Sequence, residues 1–171
     1  RTWVRGAASG RLAMLLSFAA YQQVLDDSWV VGTVVRADLH RYPGGSLRAL
    51  AGTRHVDPLP MQAIAATTIA GACDEVGARV AVEPWVERLA VTVTAAPTVV
   101  DGRWVLTDHT GALPLLAGPV ALGALLGAGG GEPVTLTAEW TPRGLVPLTV
   151  HLPGRVLDIG PRADPTFVGA A

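Results

Sequence analysis

Apolar and polar positions alternate along much of this chain, and the alternation predicts strands. In the stretch from Leu89 to Pro161, Leu89, Val91, Val93 and Ala95 fall on one side and Ala90, Thr92 and Thr94 on the other. Asp101-Gly102 signals a hairpin, after which Trp104 and Leu106 oppose Val105 and Thr107. His109-Thr110-Gly111 turns the chain into a short strand over Ala112 to Leu116. Pro119 opens a helix that the glycines from Gly127 to Gly131 close. Val134, Leu136, Ala138 and Trp140 then alternate with Thr135, Thr137 and Glu139. Pro142 to Gly144 turns, Val146 to Leu152 returns, and Val156 to Ile159 adds an edge. Pro147 sits inside that hairpin, so its nitrogen must face no ladder partner.

The first part of the chain repeats the pattern less regularly. Arg1 to Arg5 and Arg11 to Ala19 flank a small-residue turn and predict a hairpin, with a helix through Leu25 as the competing reading. Tyr21 to Trp29 reads as a connector. Val30 to Tyr42 predicts one strand, and Leu47 to Val56 its partner across Pro43-Gly44-Gly45. Asp57-Pro58 resembles a capped helix start. Met61, Ala65, Ile69, Ala72, Val76 and Val80 share helical spacing, which predicts a helix from about Leu59 to about Val80.

These elements define an α+β chain, mostly antiparallel β. The expected organisation is a small β unit (residues 1–57), a connecting helix and linker (58–88), an OB-like β domain (89–161) built as a small barrel or an open sheet, and a flexible tail (162–171). Trp104 and Trp140, in phase with Leu106 and Ala138, are expected to enter the core of the third segment.

Composition narrows the functional classes. Half of the 171 residues are hydrophobic and 16% are charged, enough apolar material for a packed core. A net charge of -1 supplies no global field toward nucleic acid or anionic lipid. All 13 basic residues are arginine. Thr110 to Gly131 lacks charge over a membrane-spanning length, but two prolines and seven glycines make it a poor lipid-facing helix, so no membrane association is expected. The chain opens at Arg1 without a basic-then-apolar leader, which points to a piece of a longer or processed protein. Cys73 is the one cysteine, which excludes an intrachain disulfide and fits a cytoplasmic setting.

Candidate chemistry is sparse. Asp38 and His40, and His55 and Asp57, have two-residue spacing on strand faces, but neither pair brings a third metal ligand. Asp108-His109 reads as a turn. Cys73 lies beside apolar helical positions, where a thiol is packing. The serines lack a nucleophile-elbow setting, and the glycine run from Gly127 to Gly131 lacks the Lys-Ser/Thr of a phosphate loop. The chain is therefore expected to be no enzyme and to hold no metal or cofactor of its own. Arg103, Arg143 and Arg155 are the candidate contacts to a nucleic acid or a protein partner.

Several phrases together carry a resemblance. Leu15-Leu16-Ser17-Phe18-Ala19, Val31-Gly32-Thr33, Tyr42-Pro43-Gly44 and Leu47-Arg48-Ala49-Leu50 are followed by Pro84-Trp85-Val86-Glu87-Arg88. Gly111-Ala112-Leu113-Pro114-Leu115, Pro133-Val134-Thr135 and Glu139-Trp140 complete the set. In this order they resemble the C-terminal region of actinobacterial SWIM zinc-finger family proteins. That family's zinc motif, Cys-x-Cys followed by Cys-x-His, is absent from this chain. The resemblance thus implies zinc only in an upstream part of a parent protein, and carries no ligand over to any residue here. It implies a non-catalytic assembly role with protein partners, among them AAA-type ATPases or von Willebrand A-type proteins. An OB-like nucleic-acid-binding module is the alternative.

Overall fold

The computed structural model describes residues 1–17, 29–44 and 46–161, and is α+β. The chain divides into two compact units, Arg1–Met61 and Gln62–Ala171.

The first unit holds β1 (Thr2–Arg5), β2 (Leu12–Leu15), β3 (Thr33–Val34), β4 (Ala37–Arg41), β5 (Arg48–Arg54) and β6 (Leu59–Pro60). β1 and β2 form the expected hairpin; the remainder of the second run, from Phe18, lies outside the described residues, as does the Tyr21–Ser28 part of the connector. The four-stranded sheet has the order β1-β2-β5-β4, with β2 and β5 parallel. Among its described residues Ala13, Leu15 and Ala49 are buried, with Val4 and Trp29 packed on them.

Two expectations fail here for backbone reasons. The run from Val30 to Tyr42 is two strands, because Thr33–Val34 pairs with β6 while Ala37–Arg41 pairs with β5. The predicted helix start at Leu59 is instead extended. Pro60 holds Leu59 out of the helical region, and both residues join the β3 ladder.

In the second unit the helix α1 runs from Ile69 to Val82, not from Leu59 to Val80. Thr68, rather than Asp57, is its N-cap, accepting a hydrogen bond from the Gly71 amide. Ile69, Ala72 and Val76 form its buried stripe. Met61 and Ala65 share the spacing but precede the helix.

The six-stranded sheet of this unit comprises β7 (Leu89–Val100), β8 (Arg103–Asp108), β9 (Gly111–Pro114), β10 (Val134–Thr141), β11 (Gly144–Leu152) and β12 (Arg155–Asp158), in the order β12-β11-β10-β7-β8-β9. β7 serves two ladders: Leu89 to Ala95 pairs with β10, and Ala96 to Val100 pairs with β8. Where β8 leaves off, Thr67 takes its place, exchanging hydrogen bonds with Thr92 and Thr94. The β7–β8 turn has positive φ at both Asp101 (50°) and Gly102 (72°), the geometry that matches strand twist. Between β9 and β10 lies α2 (Pro119–Gly129), which packs on β7, β10 and β11 and buries Ala121 and Leu125. Pro147 lies beside a bulge in the β10–β11 ladder, where its missing N–H breaks no regular pairing.

Three strands, a helix and two strands, with the long first strand shared, is the OB-like order. The sheet nonetheless stops short of a closed barrel. β9 reaches β11 through a single parallel bridge, Leu115 to Leu145, reinforced by a 2.8 Å hydrogen bond from the Leu116 amide to the Leu145 carbonyl. Glycine is required at this crossing: Gly144 has φ +144°, and an added Cβ would lie 2.5 Å from the Pro114 carbonyl oxygen. Leu106, Leu125, Leu136, Leu145, Val91, Val93 and Val150 make the fully buried core.

Trp104 and Trp140 keep the face of Leu106 and Ala138, but at the rim, and both are only partly buried. Trp104→Ala or Trp140→Ala should therefore destabilise by about 2–3 kcal/mol, below a fully buried aromatic, as read by thermal or urea melts.

Asp108 ties the second unit together at one point. Its Oδ2 accepts the Ile69 amide at 2.8 Å, and its Oδ1 accepts Thr110 N–H, Thr110 Oγ1–H and Gly111 N–H. The first residue of α1 is thus bound to the β8–β9 turn. Desolvation acts to raise the Asp108 pKa, but the hydrogen bonds from Thr110, Ile69 and Gly111 outweigh it and lower the value from 3.8 to about 2. The ionised form is the one the fold binds. Its contribution is present above the unfolded pKa and is lost as pH falls through the folded one. Asp108→Asn should melt below the parent chain at neutral pH. The gap should close as pH falls from 3.8 toward about 2, and a pH series of melts checks this.

Candidate functional site

The OB-like connectivity brings two of the three candidate arginines to one rim. Arg103 follows the β7–β8 turn and precedes Trp104, whose carbonyl accepts the Leu115 amide at 2.9 Å. Leu115 bridges Leu145, two residues beyond Arg143 in the β10–β11 turn, and Leu145 pairs with Trp140. Arg103 and Arg143 therefore lie on either side of β9, two strands apart and offset by about three residues along it, near two partly exposed tryptophans. Arg155 is not part of this group. It opens β12 opposite Leu152, at the far end of β11. Arg88 adds no free charge to the rim, because its Nη1 lies 2.6 Å from Oε1 of the buried Glu139.

The histidine and acid pairs resolve into structural contacts. His55 Nε2 meets Asp38 Oδ2 at 3.0 Å, while His40 lies over Gly52, where an added Cβ would be 2.7 Å from its Nε2. Among the described residues no three His, Cys, Asp or Glu side chains form a group that could hold a metal. Asp108 works in the turn beside an exposed His109. Cys73 differs from expectation: it is exposed, at the margin of the stripe formed by Ile69, Ala72 and Val76 and about 100° around α1 from Ala72.

Two arrangements had no part in the sequence reading. The first is a row of hydroxyls on β7, β10 and β11. Thr92 Oγ1 lies 2.9 Å from Thr137 Oγ1, and His151 Nε2 lies 2.9 Å from Thr137 Oγ1 and 3.1 Å from Thr149 Oγ1. Thr92 and Thr149 are buried. An unprotonated Nε2 accepts from the Thr137 or the Thr149 hydroxyl, and a protonated Nε2–H donates to one of them instead, since each hydroxyl can also accept. Burial lowers the His151 pKa below its ordinary value. Thr alternation in β10 and β11 was the available signal, but only the register shows that the side chains meet.

The second arrangement lies on the first unit's sheet. The Arg48 guanidinium stands 5.4 Å from the Tyr42 ring centroid, and Arg5, Arg11 and Arg48 are exposed, with Arg48 opposite Met14 of β2 and Arg5 opposite Leu12. The Arg41 Nη2 donates to the Leu12 carbonyl at 2.9 Å. The sequence signal was the local charge balance, which the whole-chain value of -1 conceals: seven arginines stand against four aspartates in the first unit, and six arginines against ten acids in the second.

A shallow apolar depression between α2 and β11 is lined by Leu116, Ala121, Val146 and Ile159 among others. No helix among the described residues is long and apolar enough to cross a membrane.

No family model, no curated protein and no solved structure matches this chain.

The His151 row generates a pH dependence. With the folded pKa below the unfolded one, the unfolded state binds the extra proton first. Stability should therefore fall as pH drops below about 6.5 and toward the folded value. Asp158, opposite Thr149, is the nearest acid across the β11–β12 ladder, and its Oδ1 already accepts the Gly160 amide. His151→Gln should flatten the melting profile between neutral and mildly acid pH relative to the parent. Parallel profiles would mean that the row is insensitive to the proton.

Proposed function

We propose that this chain is a non-catalytic interaction module, the β-rich C-terminal region of a SWIM-type protein, and that it binds a protein partner through the second unit. The observation that carries this reading is Trp85. It stands 90% exposed in the connection between α1 and β7, three residues beyond Val82, itself 80% exposed. A large indole in water, beside a second apolar side chain and close to an otherwise well-packed unit, is an anchor of the kind that dominates protein interfaces. The ionisable groups drawn together in this unit have structural employment: Asp108 in its turn, Glu139 with Arg88, His151 with the threonines. That supports binding over catalysis. An AAA-type ATPase or a von Willebrand A-type protein is the partner class that the family resemblance implies. A reducing, cytoplasmic setting belongs to the same reading, since Cys73 presents an exposed free thiol.

The second reading, an OB-like nucleic-acid-binding module, is favoured by the rim where Arg103 and Arg143 flank Trp104 and Trp140. The excess of acids over arginines in that unit weighs against it.

Trp85→Ser separates the roles. As a surface change it should alter stability by no more than about 0.5 kcal/mol, while capture of a protein partner by the full chain, followed by mass spectrometry, is lost. Partner capture that survives Trp85→Ser but fails in Arg103→Glu or Arg143→Glu would move the interface to the rim.

A further inference from the structure

Beyond that reading, and on the other unit, we propose that the sheet face of the first unit opposite its core binds single-stranded nucleic acid. The core face is defined by Ala13, Leu15 and Ala49 with Val4. Strand alternation then places Trp3, Arg5, His40, Tyr42, Arg48 and Leu50 on the other face. Two contacts agree with the assignment: His40 stands over Gly52, two residues from Leu50, and Arg48 stacks on Tyr42. Tyr42 and Leu50 are 43% and 54% exposed, so the face is open to a ligand.

The chemistry of the face selects the partner. Arg5 and Arg48 bring positive charge to it, and the unit carries three more arginines than aspartates. Among its described acids, Asp38 shares this face beside Gly52 and His40 but is paired with His55, and Asp57 lies beyond β5. The result is positive charge beside exposed rings. An acidic peptide would satisfy the arginines and leave the rings without a counterpart. A nucleic acid satisfies both, phosphates against guanidinium groups and bases against Tyr42, already stacked with Arg48. The strand must be single, because a duplex keeps its base faces stacked on one another.

The test uses the full chain and fluorescein-labelled mixed-sequence DNA and RNA of about twelve nucleotides, with anisotropy read at about 0.1 M salt. Binding should weaken steeply with added salt and exceed binding to a matched duplex. Tyr42→Ala should weaken it roughly 5- to 100-fold, as loss of one base–aromatic stack does, and Tyr42→Phe should restore it. Arg48→Gln should also weaken it and reduce the salt slope by roughly one phosphate's share. Arg103→Glu, Arg143→Glu and Trp85→Ser should leave it unchanged, which keeps this test independent of the second unit's role. Circular dichroism melts establish that each variant is folded, and Arg48→Gln serves as the folded probe of the face if Tyr42→Ala unfolds the unit. The proposal is overturned by no binding at ~100 µM chain, by duplex binding as tight as single-strand binding, by loss of binding in the second-unit arginine variants, or by a poly-glutamate peptide that binds equally and responds to the same substitutions.

Discussion

The second unit depends on one strand serving two neighbours. β7 hands its pairing from β10 to β8 between Ala95 and Ala96. Twelve residues in one extended run force the two ladders to share a bend, so the sheet curls around Val91, Val93 and Leu136 rather than lying flat. Curling brings the end of β9 to the start of β11. The bare backbone of Gly144 lets the two chains touch there, and the rim holding Trp104, Trp140, Arg103 and Arg143 exists only because of that approach. The vacant edge of β7 beyond β8 is filled by Thr67, and the chain leaves Thr67 directly into α1. Asp108, at the end of β8, then binds the first helical amide. The handover on β7 thus positions the sheet, the helix and the rim together.

The charge distribution separates the two units as sharply as their architecture does. The first buries Ala13, Leu15 and Ala49 among its described residues and has a surplus of arginine; the second has an extensive aliphatic core and a surplus of acid. A sum near zero over the whole chain hides this division. It matters because phosphate recognition depends on local density of positive charge, not on the formal total.

Much of the second unit was legible in the sequence because both signals used there are local. Alternation over Leu89 to Ala95 and Val134 to Trp140 marks strands that the structure contains, although Ala90, Thr92 and Glu139 on the opposite face are buried as well, and Asp101-Gly102 encodes a turn that needs positive φ at both positions. The first helix was misread from an equally local signal. Met61 and Ala65 continue the helical spacing by coincidence, whereas Pro60 and Thr67 answer to partners on β3 and β7. Of the three arginines singled out, two converge and one does not, and their sequence spacing cannot tell these outcomes apart.

The sequence by itself determined the elements with their own internal logic: alternating strands, a type of turn, a helix opened by proline and closed by glycine, and the excess of arginine in the first sixty-one residues. Tertiary structure decided everything that rests on which strands become neighbours. Thr92, Thr137, Thr149 and His151 lie as many as fifty-nine residues apart and meet through ladder register. Tyr42 and Arg48 stack because β4 and β5 pair across a turn, and Trp85 stays in water because no described strand or helix of its unit covers it. Alternation states which side of a strand a residue occupies. Only the pairing, set by long-range packing and loop closure, states what stands beside it.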